Sequence, residues 1–210
     1  MADLAALTAA IERGDRAAAT EVTRQAIADG MDPETILGAM TSAMEIVGGR
    51  FQAGEIYVPE MLISARAMKE SVAILEPLLV DSGVRPEFTA IIGTVKGDLH
   101  DIGKNLVAMM WRGANFEVID LGANVAPEVF VAKAREHNAR LVGVSALLTT
   151  TMVGMKDVVD SIRAAGLTDV RVVVGGAPVT AEFAAQIGAD GYAPDAASAV
   201  ALARRVVAAG

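Results

Sequence analysis

The chain contains no cysteine. Disulfides, thiolate metal sites, iron–sulfur clusters and cysteine nucleophiles are therefore excluded. Aromatic residues make up only 4% of the sequence, so alanine, valine, leucine, isoleucine and methionine must fill the interior. Positive charge is also short: 18 Lys and Arg stand against 26 Asp and Glu, a net charge of −8. That balance leaves no surplus to neutralise phosphates, so no nucleic-acid partner is expected, and nothing favours an anionic membrane surface. No apolar run approaches the ~20 residues that span a bilayer, and the N-terminal stretch is not a basic-then-apolar leader. A cytoplasmic protein without a membrane partner is the expectation. Phosphate-site patterns are missing too: there is no G-x-x-x-x-G-K-[ST], no G-x-G-x-x-G after the first strand-like run, and no G-x-S-x-G elbow.

What is present follows two rhythms. The 210 residues, 53% hydrophobic, suffice for one large domain or two small ones. Up to about Asp81 the apolar residues recur at helical spacing. Leu4, Leu7 and Ile11 share a face. Gly14 closes that segment before Asp15, a candidate N-cap, and a second helix runs to Asp29-Gly30. Asp32-Pro33 reads as a cap followed by proline at the first helical position, and Ile36, Leu37, Met40, Met44 and Val47 form the next stripe. Gly48-Gly49 is expected to loosen that helix near its end. Pro59 starts a fourth helix with Met61, Leu62, Ala65, Met68, Val72 and Leu75 inward. Four helices with short connections predict a small bundle over 1–81.

A turn-rich segment, 82–87, reads as a linker. Beyond it, short apolar runs alternate with helical stretches: Thr89–Val95, Phe116–Asp120, Leu141–Ser145, Val170–Val174 and a weaker Gly191–Ala193. The intervening helices are placed at 101–113, 127–138, 152–166, 180–187 and 196–208. Apolar runs alternating with helices predict a parallel sheet covered on both faces. The fold class expected is thus α + α/β: a helical cap followed, over 88–210, by a flavodoxin-like, doubly wound, five-stranded parallel sheet.

Such sheets bind ligands at the carboxyl ends of their strands. The segments there are Lys96–Asn105, Ser145–Thr151 and Gly175–Pro178. The first holds His100, one of only two histidines. A neutral imidazole nitrogen is a good transition-metal ligand, and its other nitrogen needs an acceptor, which Asp98 can supply. The alternative is a loop histidine capping the next helix. A protein zinc site lacks its other ligands. Gly175-Gly176 either admits a ligand close to the backbone or makes a tight turn. Ser145, Thr149, Thr150 and Thr151 offer hydroxyls to a polar ligand, or cap the following helix. His137 reads as a helix C-cap.

Asp98-Leu99-His100-Asp101-Ile102-Gly103, then Ser145-Ala146-Leu147, then Gly175-Gly176 resemble, in order, the Asp-x-His-x-x-Gly, Ser-x-Leu and Gly-Gly elements of cobalamin-dependent methionine synthase. They resemble equally the corrinoid proteins of methanol, methylamine and betaine methyltransferase systems. The stretch Gly48–Met61 is similar to the helical cap of that family, so the likeness covers nearly the whole chain.

The resemblance implies a corrinoid methyl carrier of one-carbon metabolism, a non-catalytic or co-catalytic subunit that cycles between cob(I)alamin and methylcobalamin. It implies a base-off, His-on cofactor with His100 as cobalt ligand, in a relay with Asp98 and Thr151, where the family has serine. Asp98 and Thr151 would store or pass the proton taken up when His100 leaves cobalt. The cofactor would lie against Gly97, Asp98, Leu99, His100, Asp101, Ile102 and Leu147, with its nucleotide tail passing Gly103 to lie beside Ser145, Thr149, Gly175, Gly176 and Ala196. Phe51 and Val58 would shield the upper cobalt face, and the cap would swing about the linker to admit partners. Those partners would be a substrate-specific corrinoid methyltransferase, a methyl-acceptor methyltransferase using a thiol or tetrahydrofolate, and a reductive activation protein. A free-standing carrier fits the length. Three rivals are a B12-dependent sensor or regulatory protein, a B12 mutase subunit, and a flavodoxin-like domain with no corrinoid.

Overall fold

The structure is a computed structural model that describes residues 2–83 and 85–209. Val84, in the expected linker, lies outside the described residues. The chain divides into two compact units. One comprises Met1–Pro86 with Gly113–Asn115, and the other Glu87–Arg112 with Phe116–Gly210.

The first unit carries α1 (Leu4–Glu12), α2 (Arg16–Ala28), α3 (Pro33–Gln52) and α4 (Val58–Asp81). Three aspartates start three of these helices by accepting a backbone N–H one turn in: Asp3 from Ala5, Asp15 from Ala18 and Asp32 from Thr35. Each such cap contributes about 1 kcal/mol. Leu7, Ile11, Ile36, Met40, Met44, Met61 and Leu75 are fully or almost fully buried.

Two expectations fail here. Gly48-Gly49 does not loosen α3, which continues through Phe51 to Gln52. Leu62 does not point inward; it is 42% exposed. The buried stripe of α4 is Met61, Ser64, Met68, Ser71 and Leu75, with Ala65 and Val72 only half-buried. The two serines hold the inward phase because small side chains let helices approach, and Ser64 Oγ donates to the Glu12 carbonyl at 3.0 Å.

The second unit is a five-stranded, all-parallel sheet in the order β2-β1-β3-β4-β5. Its strands are β1 (Thr89–Thr94), β2 (Glu117–Asp120), β3 (Leu141–Ser145), β4 (Arg171–Gly175) and β5 (Gly191–Tyr192). The helices are α5 (Ile102–Gly113), α6 (Pro127–Glu136), α7 (Val153–Ala164), α8 (Ala181–Gln186) and α9 (Ser198–Ala208). These elements match the expected ones to within a residue or two at each end. Residues 90–94 of β1 and 141–144 of β3 are all buried, as strands covered on both faces must be. Ile91, Val142, Val144, Phe130, Met155 and Val158 belong to one core. Replacing Phe130 by alanine there would cost about 3–5 kcal/mol.

From β1 the sheet adds β2 on one side and β3, β4 and β5 on the other. The direction of winding reverses between β1 and β3, which opens a crevice at their carboxyl ends. Thr94 and Ser145, the last residues of β1 and β3, are register partners, and Ser145 pairs in turn with Gly175 of β4. All three candidate loops therefore leave the sheet at one level.

Candidate functional site

Asp98 is the centre of this crevice. Its side chain is wholly buried. Oδ1 accepts from the His100 backbone N–H at 3.0 Å and lies 2.8 Å from His100 Nδ1. Oδ2 accepts from the Leu147 N–H at 2.8 Å and from the Thr151 hydroxyl at 2.7 Å. Burial pushes this carboxyl up, but those four donors together hold it well below the usual carboxylate range. An anion sits inside the protein because the loops after β1 and β3 both supply hydrogens to it.

With Nδ1 facing a carboxylate, the neutral His100 ring carries its proton on Nδ1 and leaves the Nε2 lone pair free. The ring is 52% exposed, so that lone pair is open to an incoming group. Thr94, fully buried at the end of β1, donates its hydroxyl to the His100 carbonyl at 3.1 Å. The backbone of His100 is thus held from the strand and its side chain from the carboxylate.

Among the described residues no group of three or more His, Cys, Asp or Glu is arranged to hold a metal ion. One imidazole cannot retain a free transition metal against water, so a metal at Nε2 must arrive with its other donors attached. A planar chelate fits the surroundings. Leu99, Ile102 and Val153 are 74%, 76% and 67% exposed, and Leu147 and Leu148 are each more than two-fifths exposed. Five large apolar side chains, three on the loops after β1 and β3 and two at the starts of α5 and α7, offer an exposed apolar surface near His100.

The glycines separate into two kinds. Gly176 has φ +139, and a Cβ there would stand 1.9 Å from the Ala146 carbonyl oxygen; the fold itself demands glycine. A Cβ on Gly103 would meet nothing within 4 Å. The fold therefore does not require glycine at 103, and its small size leaves room for something outside the chain.

Gly97 has φ +85 and turns the chain into Asp98. Asp101 accepts the Asn105 N–H at 2.8 Å through its carbonyl, opening α5. Ser145 ends β3 and its carbonyl accepts the Val95 N–H. Thr149 is exposed on the same loop. Ala196 is buried between β5 and α9. Phe51 and Val58 are half-buried residues of the helical unit, at the end of α3 and the start of α4. His137 is the C-cap of α6, as expected. The expected hydroxyl cap of α7 is absent: its N-cap is Met152 and makes no side-chain bond. Thr151 is instead drawn to the buried carboxylate of Asp98, a stronger acceptor.

Sequence reasoning missed Thr94 and Lys104. The Lys104 side chain is 1% exposed, and its Nζ lies 2.5 Å from Asp120 Oδ1 and 2.6 Å from Asn105 Oδ1. It ties the first turn of α5 to the end of β2.

Residues 88–201 match the B12 binding domain family, and residues 4–76 match a second B12 binding domain family. The chain belongs to the B12-binding corrinoid proteins. It is 39% identical over 206 residues to a corrinoid protein of Desulfitobacterium hafniense, covering 96% of this chain and 95% of that protein. It is 43% identical over 191 residues to a trimethylamine corrinoid protein of Methanosarcina mazei, covering 89% and 88%. A cobalamin-binding protein from Desulfitobacterium hafniense superposes with a TM-score of 0.84 at 32% identity, covering 99% of this chain and all of that one. A chain of the methanol:cobalamin methyltransferase complex from Methanosarcina barkeri gives 0.86 at 30% identity, covering 99% and 80%. Membership carries the class of function: a corrinoid-binding methyl carrier that works with a methyltransferase. Among the described residues no helix is long and apolar enough to cross a membrane.

Proposed function

We propose that this corrinoid protein holds its cofactor base-off and His-on, with His100 Nε2 as the lower ligand to cobalt. The carrying observation is the half-exposed imidazole whose Nδ1 lies 2.8 Å from a buried carboxylate. When bound, a corrinoid supplies a cobalt centre that can accept a methyl group and give it up.

The chain's own residues then do four things. Leu99, Ile102, Leu147 and Leu148 seat the apolar face of the ring, and Gly103 gives the nucleotide tail passage past α5 toward Ser145, Thr149, Gly175 and Gly176, with Ala196 at its far end. Asp98 and the Thr151 hydroxyl fix the tautomer of His100 and raise its basicity as a donor. Were His100 released from cobalt, its Nε2 would be free to accept a proton. Asp98, held anionic by its donors, would then face the imidazolium with a balancing charge. Phe51 and Val58 would shield the bound cofactor when no partner is engaged. We propose further that a substrate-specific methyltransferase loads the protein and that a second one, with a thiol or tetrahydrofolate acceptor, unloads it. A reductive activation protein restores the carrier after oxidation.

Electron paramagnetic resonance of the cob(II)alamin-loaded protein tests the ligand directly. Labelling the histidines with nitrogen-15 is expected to turn the triplet superhyperfine pattern into a doublet. A pattern unmoved by the label would mean that the cofactor keeps its own base, and would overturn the His-on reading.

A further inference from the structure

The loop that carries Asp98 and His100 is held by a third connection. Asn124, between β2 and α6, grips it from outside at two adjacent points. Its Oδ1 accepts the Gly97 N–H at 2.8 Å, and its own N–H donates to the Asp98 carbonyl at 2.9 Å. Asn124 has φ +57, a left-handed conformation that asparagine tolerates better than other side-chain-bearing residues. That conformation turns both its amide hydrogen and its side-chain carbonyl toward the Gly97–Asp98 peptide. Isolated pairing of Val95 with Val125 continues the parallel ladder past β1 and brings the two loops side by side.

We infer that Asn124 is a positioning residue for the cofactor-binding histidine, acting through Gly97 and Asp98. Gly97 has φ +85, so nothing in its own side chain limits its rotation. Without the Asn124 carbonyl, its N–H has only water to bond, and the Gly97 turn becomes free to relax. Leu147 and Thr151 would still hold the Asp98 carboxylate, but the backbone leading to His100 would no longer keep Nδ1 in line with it. The ion pair of Lys104 with Asp120 holds the other end of the segment, at α5, so the slack falls on residues 96–100. The inference rests on His100 as the cofactor ligand, but the clamp itself is a property of the protein alone.

Two substitutions isolate the clamp. Asn124→Gly keeps the left-handed backbone without strain and removes the acceptor. Asn124→Asp keeps both the backbone tolerance and the acceptor oxygen. In the apoprotein, amide exchange at Gly97 is expected to quicken roughly fivefold in the glycine variant, about the net worth of one hydrogen bond, and to stay near wild type in the aspartate variant. After loading with methylcobalamin, the visible spectrum of the glycine variant is expected to show a smaller His-ligated fraction, with the aspartate variant restored.

An unchanged Gly97 exchange rate in Asn124→Gly, or equal losses in both variants, would overturn the inference. So would quickened exchange with an undiminished His-ligated fraction, since Asn124 would then hold the loop without positioning His100. Wild type that shows no His-ligated spectrum at all would sink the His-on reading, and with it the ligand-positioning role. The apoprotein exchange would still decide whether the clamp exists.

Discussion

Asp98 and Thr151, 53 positions apart in the chain, meet at 2.7 Å between carboxylate and hydroxyl. That contact joins the loop after β1 to the loop after β3 and completes the set of donors around a buried anion. Replacing Thr151 by valine keeps the shape and deletes the donor. Stability is expected to fall by about 1.5–3 kcal/mol, the range for a hydrogen bond to a charged group. Thr151→Ser is expected to recover most of it. Urea unfolding midpoints for the three proteins check this.

Asp98 itself gives a pH dependence. Its carboxyl is held well below the usual range in the folded protein, so the folded state binds fewer protons than the unfolded chain as pH falls. Its contribution is fully present above the unfolded value, near 3.9, and is lost as pH drops from there toward the folded value. The Asp98→Asn protein is expected to be less stable at neutral pH and to lose less on acidification between about pH 5 and pH 2. Thermal unfolding of both proteins across that window checks the sign; parallel curves would contradict it.

The two site glycines should part company on substitution. A Cβ at position 103 meets nothing within 4 Å, and Gly103→Leu places a better helix former in the first turn of α5. Folding stability is expected to hold or rise by up to about 1 kcal/mol, while retention of hydroxocobalamin falls at least tenfold. Gly176→Ala drives a methyl group into the Ala146 carbonyl, so the apoprotein itself is expected to unfold at lower temperature. Calorimetry paired with gel filtration of the loaded proteins separates the two effects.

Phe51 and Val58 offer a different kind of check. The Phe51→Ala protein is expected to retain its corrinoid but to lose protection of the bound methyl group, so that methylcobalamin photolyses several-fold faster. An unchanged rate would remove Phe51 from the shield.

Much of this fold could be read from the sequence because parallel strands buried on both faces appear as unbroken apolar runs. Leu141–Ser145 shows the rule, and its bounds coincide with the strand. The aspartate caps at Asp15 and Asp32 were legible for a local reason: cap and first turn are neighbours in sequence. Leu62 was misread because Ser64 and Ser71 look polar, and hydropathy alone cannot tell a small buried serine from a solvated one. At the site, Asp98 and His100 were legible because they stand two positions apart in a recognisable pattern. The roles of Thr94, Lys104 and Asn124 were not, since each acts on a segment that the sheet brings to it. The αL asparagine was the available signal for Asn124, but a left-handed turn is visible only once the backbone is known.

Wild type and His100→Ala, each mixed as apoprotein with hydroxocobalamin and freed of unbound cofactor, should differ in their visible spectra. Wild type is expected to retain the corrinoid with a spectrum that depends on the imidazole, and His100→Ala to lose that signature while keeping its fold. A properly folded wild type that retains no corrinoid, or two identical spectra, would contradict the account.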